Sequence, residues 1–544
     1  MFAWAGAVGA QSMGIDPDEE RNAPPPPTPL EFPQYVGING EQTQTVTDFN
    51  VIYRHLLTLR KPQDITIDHV KAFNLKVETD IEGLQIVPDE LLQGLPPLVW
   101  DKSSDDNEAS EAHKMGNGVP YPPREKYDVV KKELLLDSDD AFREASRMPP
   151  KPGRDRVRLT QSRKFWVGLE RMSQYWDTSR DNYYDRLVRE PRPEEGTQTV
   201  NSPQQQQTIT NTGVGDPMDT GDSSAGETNY ERVYKGRRLG TGSEMPADIR
   251  DETMRGLLEM VAWPFQCQVT VPSTMPRLHV QGLLFPVRHT LVSGRVPQDR
   301  QTARSGILEG PVIGVQCRDE TNFNEPNGKP GFCSKEFCDL FREIGAMLLL
   351  AQERAREGTV EVRPGEGKWW TTVPRFGGAD HEGVTGEAAN SNNAKEKEDD
   401  KDDTNNQSMH KRSRYANPLI PSRRSGRSRR LTPSEKWKII EPGMHLWDRK
   451  MKYMQIGKKS DSPYDDIYML SHINHHVSIL HLRVHRRYIE CLTTGSSDLD
   501  ERGTPEQPWN VLKLRRTKWY DLLDSEHRLE VFHSLWRLYH YLMR

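Results

Sequence analysis

The stretch SPYDDIYMLSHINHHVSILHLRVHRRYIECLTTG, residues 462–495, decides how this chain folds, because it is the longest apolar run in the C-terminal part. Ser462 suits a helix N-cap, Pro463 the first helical position, Asp465 and Asp466 the positive end of the dipole, and Gly495 the stop. Ile473, Val477, Leu480 and Val484 recur at alternating four and three. These signals predict one helix of about thirty residues, roughly 45 Å long at 1.5 Å per residue. The rival reading makes HVSILHLRV, residues 476–484, a strand, since short runs rich in β-branched residues fit either period.

Outward from this run, the chain alternates between core-forming blocks and low-complexity segments. Its 544 residues are only 34% hydrophobic and carry 39 prolines and 40 glycines, so much of it is expected to stay outside any core. Residues 1–45, with PPPPTP, are expected as a disordered tail, and 191–230, rich in Gln, Thr, Ser and Gly, as a disordered insert. Residues 381–435 read as a disordered linker, acidic first and basic afterwards.

Three foldable blocks remain. In the helical N-terminal block, 46–190, DFNVIYRHLLTL starts after Thr47 and Asp48, and RKFWVGLERMSQYW aligns Phe165, Leu169, Met172 and Trp176 on one stripe. The 231–380 block is the α+β core. It has a helix over MPADIRDETMRGLLEMVAW, strands in CQVTVP, RLHVQGLLFPV, HTLVSG and GPVIGVQCR, and a second helix from Ser334 to Gly358 that is apolar nearly all round. The 436–544 block reads as helical and closes on SEHRLEVFHSLWRLYHYLMR, with Leu529, Phe532, Trp536, Tyr539 and Met543 on one face. The expected fold class is α+β, a small mixed sheet with packed helices and a helical C-terminal part, interrupted by long disordered inserts.

The runs EGPVIGVQCR, KWWTTVPRFGG, NHHVSILHLRVH and KLRRTKWYDLL resemble a family of filamentous-fungal proteins of unassigned function. The resemblance covers the second and third blocks, about half the chain. It implies a shared folded unit and carries no activity, cofactor or catalytic residue.

Charge and composition narrow the function classes. No run approaches the ~18 to 20 apolar residues that a membrane-spanning helix needs, and the N-terminus lacks the basic start of a secretory signal. Five scattered cysteines fit reduced thiols. Lys411, Arg412 and Arg414 followed by Arg423, Arg424, Arg427, Arg429 and Arg430 form two basic clusters free of acidic residues. Their spacing suits a nuclear import receptor, and the same charges suit phosphates or a solvated loop. Trp369, Trp370, Arg375, Arg515, Arg516, Lys518 and Trp519 are candidate nucleic-acid or partner contacts.

Motifs for other chemistry are incomplete. His472 and His476, like His481 and His485, are four apart, but no HExxH glutamate or third ligand accompanies them. Cys333 and Cys338 enclose four residues, and Cys267 and Cys317 could add two thiolates for zinc, but Cys338 beside Phe337 and Phe341 and Cys317 in a Val-rich run fit small buried hydrophobes. GEGKWW lacks the P-loop glycine and hydroxyl, and KGRRLGTGSEMP lacks the dinucleotide-binding order. No metal, cofactor or catalytic residue is therefore assigned. The expected function is a non-enzymatic nuclear interaction or scaffold protein; the alternative is a nucleic-acid-associated factor using residues 411–430 and 513–518.

Overall fold

The computed structural model describes residues 15–35, 48–101, 113–187, 230–272, 276–325, 328–329, 331–358, 451–459, 462–495 and 508–544. Their elements in chain order are α1 (Phe49–Thr58), α2 (Ile67–Lys71), β1 (Leu75–Ile81), α3 (Arg124–Leu134), α4 (Ser138–Ala145), α5 (Arg163–Trp176), β2 (Asn182–Leu187) and β3 (Tyr230–Lys235). Then follow α6 (Ala247–Ala262), β4 (Cys267–Thr270), β5 (Arg277–Val280), β6 (Leu283–Pro286), β7 (Leu291–Arg295), α7 (Arg300–Arg304), β8 (Ile307–Arg318) and α8 (Ser334–Ala355). The chain closes with β9 (Lys452–Met454), β10 (Tyr464–Ile473), β11 (His476–His485), α9 (Arg486–Thr494), β12 (Leu512–Thr517), β13 (Tyr520–Asp521) and α10 (Ser525–Leu542).

The architecture is α+β with a mixed sheet, as the sequence indicates. Nine strands share the main sheet, whose path runs β1-β12-β11-β10-β8-β7-β4, with β13 beside β11 and β9 beside β8. The β1–β12 and β8–β10 pairs are parallel, and β10–β11, β11–β12, β7–β8 and β4–β7 are antiparallel. The first block thus supplies β1, the second β4, β7 and β8, and the third β9 to β13. All three blocks close on one sheet.

The expected thirty-residue helix is corrected to a β-hairpin, β10–β11, at the centre of that sheet, followed by a short helix, α9. The physical reason lies in burial on both faces. Ile467 and Met469 of β10, with Leu480, Leu482 and Val484 of β11, join one apolar cluster with α1, α8 and α9; Leu470, Val477 and Ile479 join the opposite cluster with α5, α6 and α10. A strand covered on both faces reads as a continuous apolar run rather than an alternation. The hairpin turns on Asn474 and His475, with Ile473 paired to His476 and Asn474 at φ 54, the left-handed conformation that such two-residue turns require.

Helix starts follow local chemistry. The Asp48 carboxylate accepts from Asn50 N at 2.9 Å to begin α1, and Asp524 accepts from Glu526 N and His527 N at 2.9 Å each to begin α10. For α8 the cap falls one residue before the expected Ser334: Glu336 accepts from Cys333 N at 3.1 Å, while Ser334 N donates to Glu325. The predicted apolar stripes of α5 and α10 are buried, packed against α6 and the sheet. Helices α5 and α6 approach closely at two glycines. A Cβ on Gly168 would lie 2.5 Å from Thr253 Oγ1, and one on Gly256 would lie 2.7 Å from the Phe165 backbone nitrogen.

Residues 15–35, expected as part of a solvated tail, are docked on the fold. Arg21 N donates to Tyr234 O at 2.9 Å, Glu31 N to Thr321 O at 2.9 Å and Gln34 N to the Glu336 carboxylate at 2.7 Å. Proline carbonyls have no donor of their own to satisfy and remain open acceptors; that of Pro25 accepts from Arg238 Nη1 at 2.6 Å. The 191–230 insert, apart from Tyr230, and the 381–435 linker lie outside the described residues. No helix among the described residues is long and apolar enough to cross a membrane.

Candidate functional site

Of the residues that the sequence nominates for contact, Trp369, Trp370 and Arg375 lie outside the described residues, as do Lys411, Arg412, Arg414, Arg423, Arg424, Arg427, Arg429 and Arg430. The remaining four sit on or beside β12, and the strand's alternation separates them. Arg515 turns outward and pairs with Glu78 at 3.2 Å, while Arg516 turns inward and is 2% exposed. Lys518 pairs with Glu530 at 2.9 Å, and the half-buried Trp519 stacks on Phe32 with ring centroids 5.1 Å apart. In the stretch nominated for phosphates Arg516 is buried and Arg515 and Lys518 are paired with carboxylates, while Lys513 stays exposed.

Arg516 belongs to a buried ionic cluster that joins four elements and the N-terminal segment. Its Nη2 donates to the Glu343 carboxylate on α8 and, at 3.1 Å, to the Tyr35 hydroxyl. Glu343 Oε1 accepts from Arg318 Nη1 of β8 at 2.8 Å and from Ser471 Oγ of β10 at 2.6 Å. Tyr35 in turn donates to Asp339 Oδ2 at 3.0 Å, and Arg318 lies 2.9 Å from Asp339 Oδ1. The Arg516 guanidinium lies 4.7 Å from the Tyr35 ring and 5.1 Å from that of Trp519.

Two guanidiniums and two carboxylates make this cluster neutral, and burial decides its titration. Burial pushes Glu343 up, but the Arg516 and Arg318 guanidiniums outweigh it and hold the carboxyl below its ordinary range. Asp339, with burial dominant and Arg318 opposing, is pushed up to about 6. Burial also drives the Tyr35 hydroxyl well above its usual value. The ion pairs and the Ser471 hydrogen bond tie β8, β10, β12 and α8 to one another, while Arg516 Nε and Nη1 and Arg318 Nε stay buried without a hydrogen-bond partner.

The histidine pairs do not share helix faces, because both lie on strands. His472 is fully buried, and neither ring nitrogen has a hydrogen-bond partner. Burial, then Arg250, Arg318 and His476, keep it well below its ordinary pKa and hence neutral. His481 Nε2 lies 2.8 Å from Asp466 Oδ1, and His485 Nδ1 accepts from Arg487 N at 3.0 Å to cap α9. What the fold does gather is His475, His476 and Asp521, whose ligand atoms lie within 4.8 Å of one another. The sequence reading missed His475 and Asp521; the hairpin and the pairing of His476 with Asp521 across β11–β13 bring them together.

All five cysteines are free and buried. Burial pushes Cys267 up to about 12, Cys338 up to about 11 and Cys317 well above its usual value, so these thiols stay protonated. A shallow depression with room for about one water molecule is lined by Leu56, Phe73, Leu278, Phe285, Val287 and Phe341 with Arg288, Gln316 and Arg342; its lining residues include no His, Cys or carboxylate. Comparison of the chain with protein-family models, with curated proteins and with solved structures finds no match in any of the three.

Proposed function

We propose that this chain is a non-enzymatic protein-interaction or scaffold protein of the nucleus, with an α+β body that carries recognition segments. The observation that most supports the reading is the fate of residues 515–519. Their charges and rings are engaged by Glu78, Glu343, Glu530, Tyr35 and Phe32, so the described fold offers no free basic patch there. Burial of all five thiols, with Cys267, Cys317 and Cys338 held protonated, speaks against cysteine chemistry. The apolar stripes of α5 and α10, expected at partner surfaces, are internal. Partner recognition then falls to the body's exposed surface and to the segments between the blocks. The paired basic clusters at 411–414 and 423–430 serve an import receptor.

Replacing Arg423, Arg424, Arg429 and Arg430 by Ala tests this address directly. A tagged full-length chain carrying the four substitutions should leave the nucleus while its thermal melt stays unchanged; unaltered nuclear retention overturns the import assignment. For the nucleic-acid alternative, the decisive quantity is the salt slope. Neutralising several phosphates makes affinity fall steeply, by about 10³-fold or more for six to ten contacts between 50 and 200 mM salt. The scaffold reading expects only weak, sequence-independent binding.

A further inference from the structure

We infer that His475, His476 and Asp521 form a binding site for one divalent first-row transition ion of the zinc class, left with open coordination positions. The backbone builds it. Asn474, at φ 54, sets the turn that carries His475 out of β10; its backbone N–H donates to Arg318 O at 3.2 Å and its side-chain amide to Glu320 O at 3.0 Å, which pins the turn to β8. His476 begins β11 and is the direct cross-strand partner of Asp521 on β13, and Leu522 N donates to His475 O at 2.9 Å. Both histidines and the carboxylate are thereby held at one end of the hairpin.

The side chains are prepared as ligands. In His475 and His476 a ring nitrogen, Nδ1, is buried without a hydrogen-bond partner. Asp521 Oδ1 accepts from Leu523 N at 2.8 Å, which orients the carboxylate as an outer hydrogen bond orients a metal ligand. Aromatic rings wall the site: Trp176 lies 4.6 Å from His475, and Phe32 4.8 Å from His476.

The surrounding charge also favours a cation. Asp177 and Asp524 add their negative charge beside Asp521. Arg528 is the nearby positive group, but its guanidinium is turned toward the carbonyls of Leu522 and Leu523, at 3.1 and 2.7 Å, and the Trp166 ring at 4.8 Å. His527 Nδ1 accepts from Asp521 N at 3.1 Å and is thus occupied at that atom. A tetrahedral zinc with bonds near 2.1 Å needs its ligand atoms about 3.4 Å apart. The three ligand atoms now lie within 4.8 Å of one another, so binding would draw them together. Two histidines and one carboxylate leave at least one position for water or a partner's side chain.

The test uses the full chain, stripped by chelation and titrated with zinc alone by calorimetry, then loaded with zinc for X-ray absorption. Saturable binding of one ion per chain is expected, with a first shell of nitrogen and oxygen only. His476→Gln and Asp521→Asn should each weaken it by about tenfold or more, while His485→Gln leaves it unchanged. Lack of binding, a sulfur-containing shell, or unchanged affinity in both ligand variants overturns the assignment. The absorption measurement needs no variant, so it decides the question even where a substitution prevents folding.

Discussion

Two adjacent arginines should differ sharply in what they contribute, and substituting each by Met measures the difference. Arg515 pairs with Glu78, whose side chain is 66% exposed, so water screens the pair and its loss should cost less than about 1 kcal/mol. Arg516 is 2% exposed and is bound to Glu343, which is fully buried. Removing it strands the Glu343 carboxylate beside Arg318 alone and empties the space against Tyr35 and Trp519. Removing one partner of such a pair costs about 3–5 kcal/mol. The apolar double replacement, Arg516→Met with Glu343→Leu, leaves Arg318 paired with Asp339 and should recover much of that loss, giving a coupling of about 2–3 kcal/mol. Urea unfolding of the four variants and the parent, followed by tryptophan fluorescence, reads each difference. Equal costs for Arg515→Met and Arg516→Met, or strictly additive costs for Arg516→Met and Glu343→Leu, would refute the reasoning.

Other outcomes follow from the packing and the buried imidazoles. Gly256→Ala places a methyl against the Phe165 backbone, where nothing flexible can yield, and should cost about 1–3 kcal/mol in the same assay. Gly94→Ala, at a glycine with no neighbour within 4 Å but a φ of 82, should lose only the backbone term, about 1 kcal/mol. His289 is fully buried with Nε2 3.0 Å from Ala346 O, and burial lowers it from an ordinary 6.5 to about 4. Between those values the unfolded chain binds a proton that the native fold refuses, so stability is full above pH 6.5 and falls toward pH 4. At about 1.4 kcal/mol per tenfold in proton affinity, the loss is about 3 kcal/mol. Asp339, raised to about 6, acts in the opposite sense; the His289 contribution is therefore read as the difference between the parent and His289→Gln across that window.

The sequence was most legible where an element has one wet face. Helices α1, α5, α6 and α10 keep a readable 3.6-residue stripe, and the starts of α1, α6 and α10 carry Asp48, Pro246 and Asp524 as visible signals. The central hairpin was legible only in part, as the rival strand reading of 476–484, for the opposite reason. With both faces covered, its apolar residues form a run in which Ile473, Val477, Leu480 and Val484 fall on a helical stripe by coincidence. The signal that separates the readings is Asn474-His475, a turn pair with Asn in the left-handed conformation.

The same period governs the candidate site. Read as a basic helix or loop, LKLRRTK is a charged surface; read with period two as β12, it places Leu512, Leu514 and Arg516 inward and Lys513 and Arg515 outward. Glu343 and Asp339, charges on a helix otherwise apolar nearly all round, marked the other half of the cluster. Their pairing with Arg318, Arg516 and Tyr35 spans up to 304 residues of sequence, and only the fold supplies it. Residues 15–35 docked for a reason that composition hides: an extended proline-rich segment packs through scattered backbone hydrogen bonds, Phe32 and Tyr35, without an apolar period.

The central claim is that this protein works through protein partners and not through nucleic acid. Its most direct test is recovery of the tagged full-length chain from its native cells in two halves, one treated with nuclease, with the bound proteins identified by mass. A defined partner set that survives nuclease is the predicted result. A set that collapses on treatment, with nucleic acid accounting for the recovery, would contradict the account and turn residues 411–430 into a phosphate-binding arm.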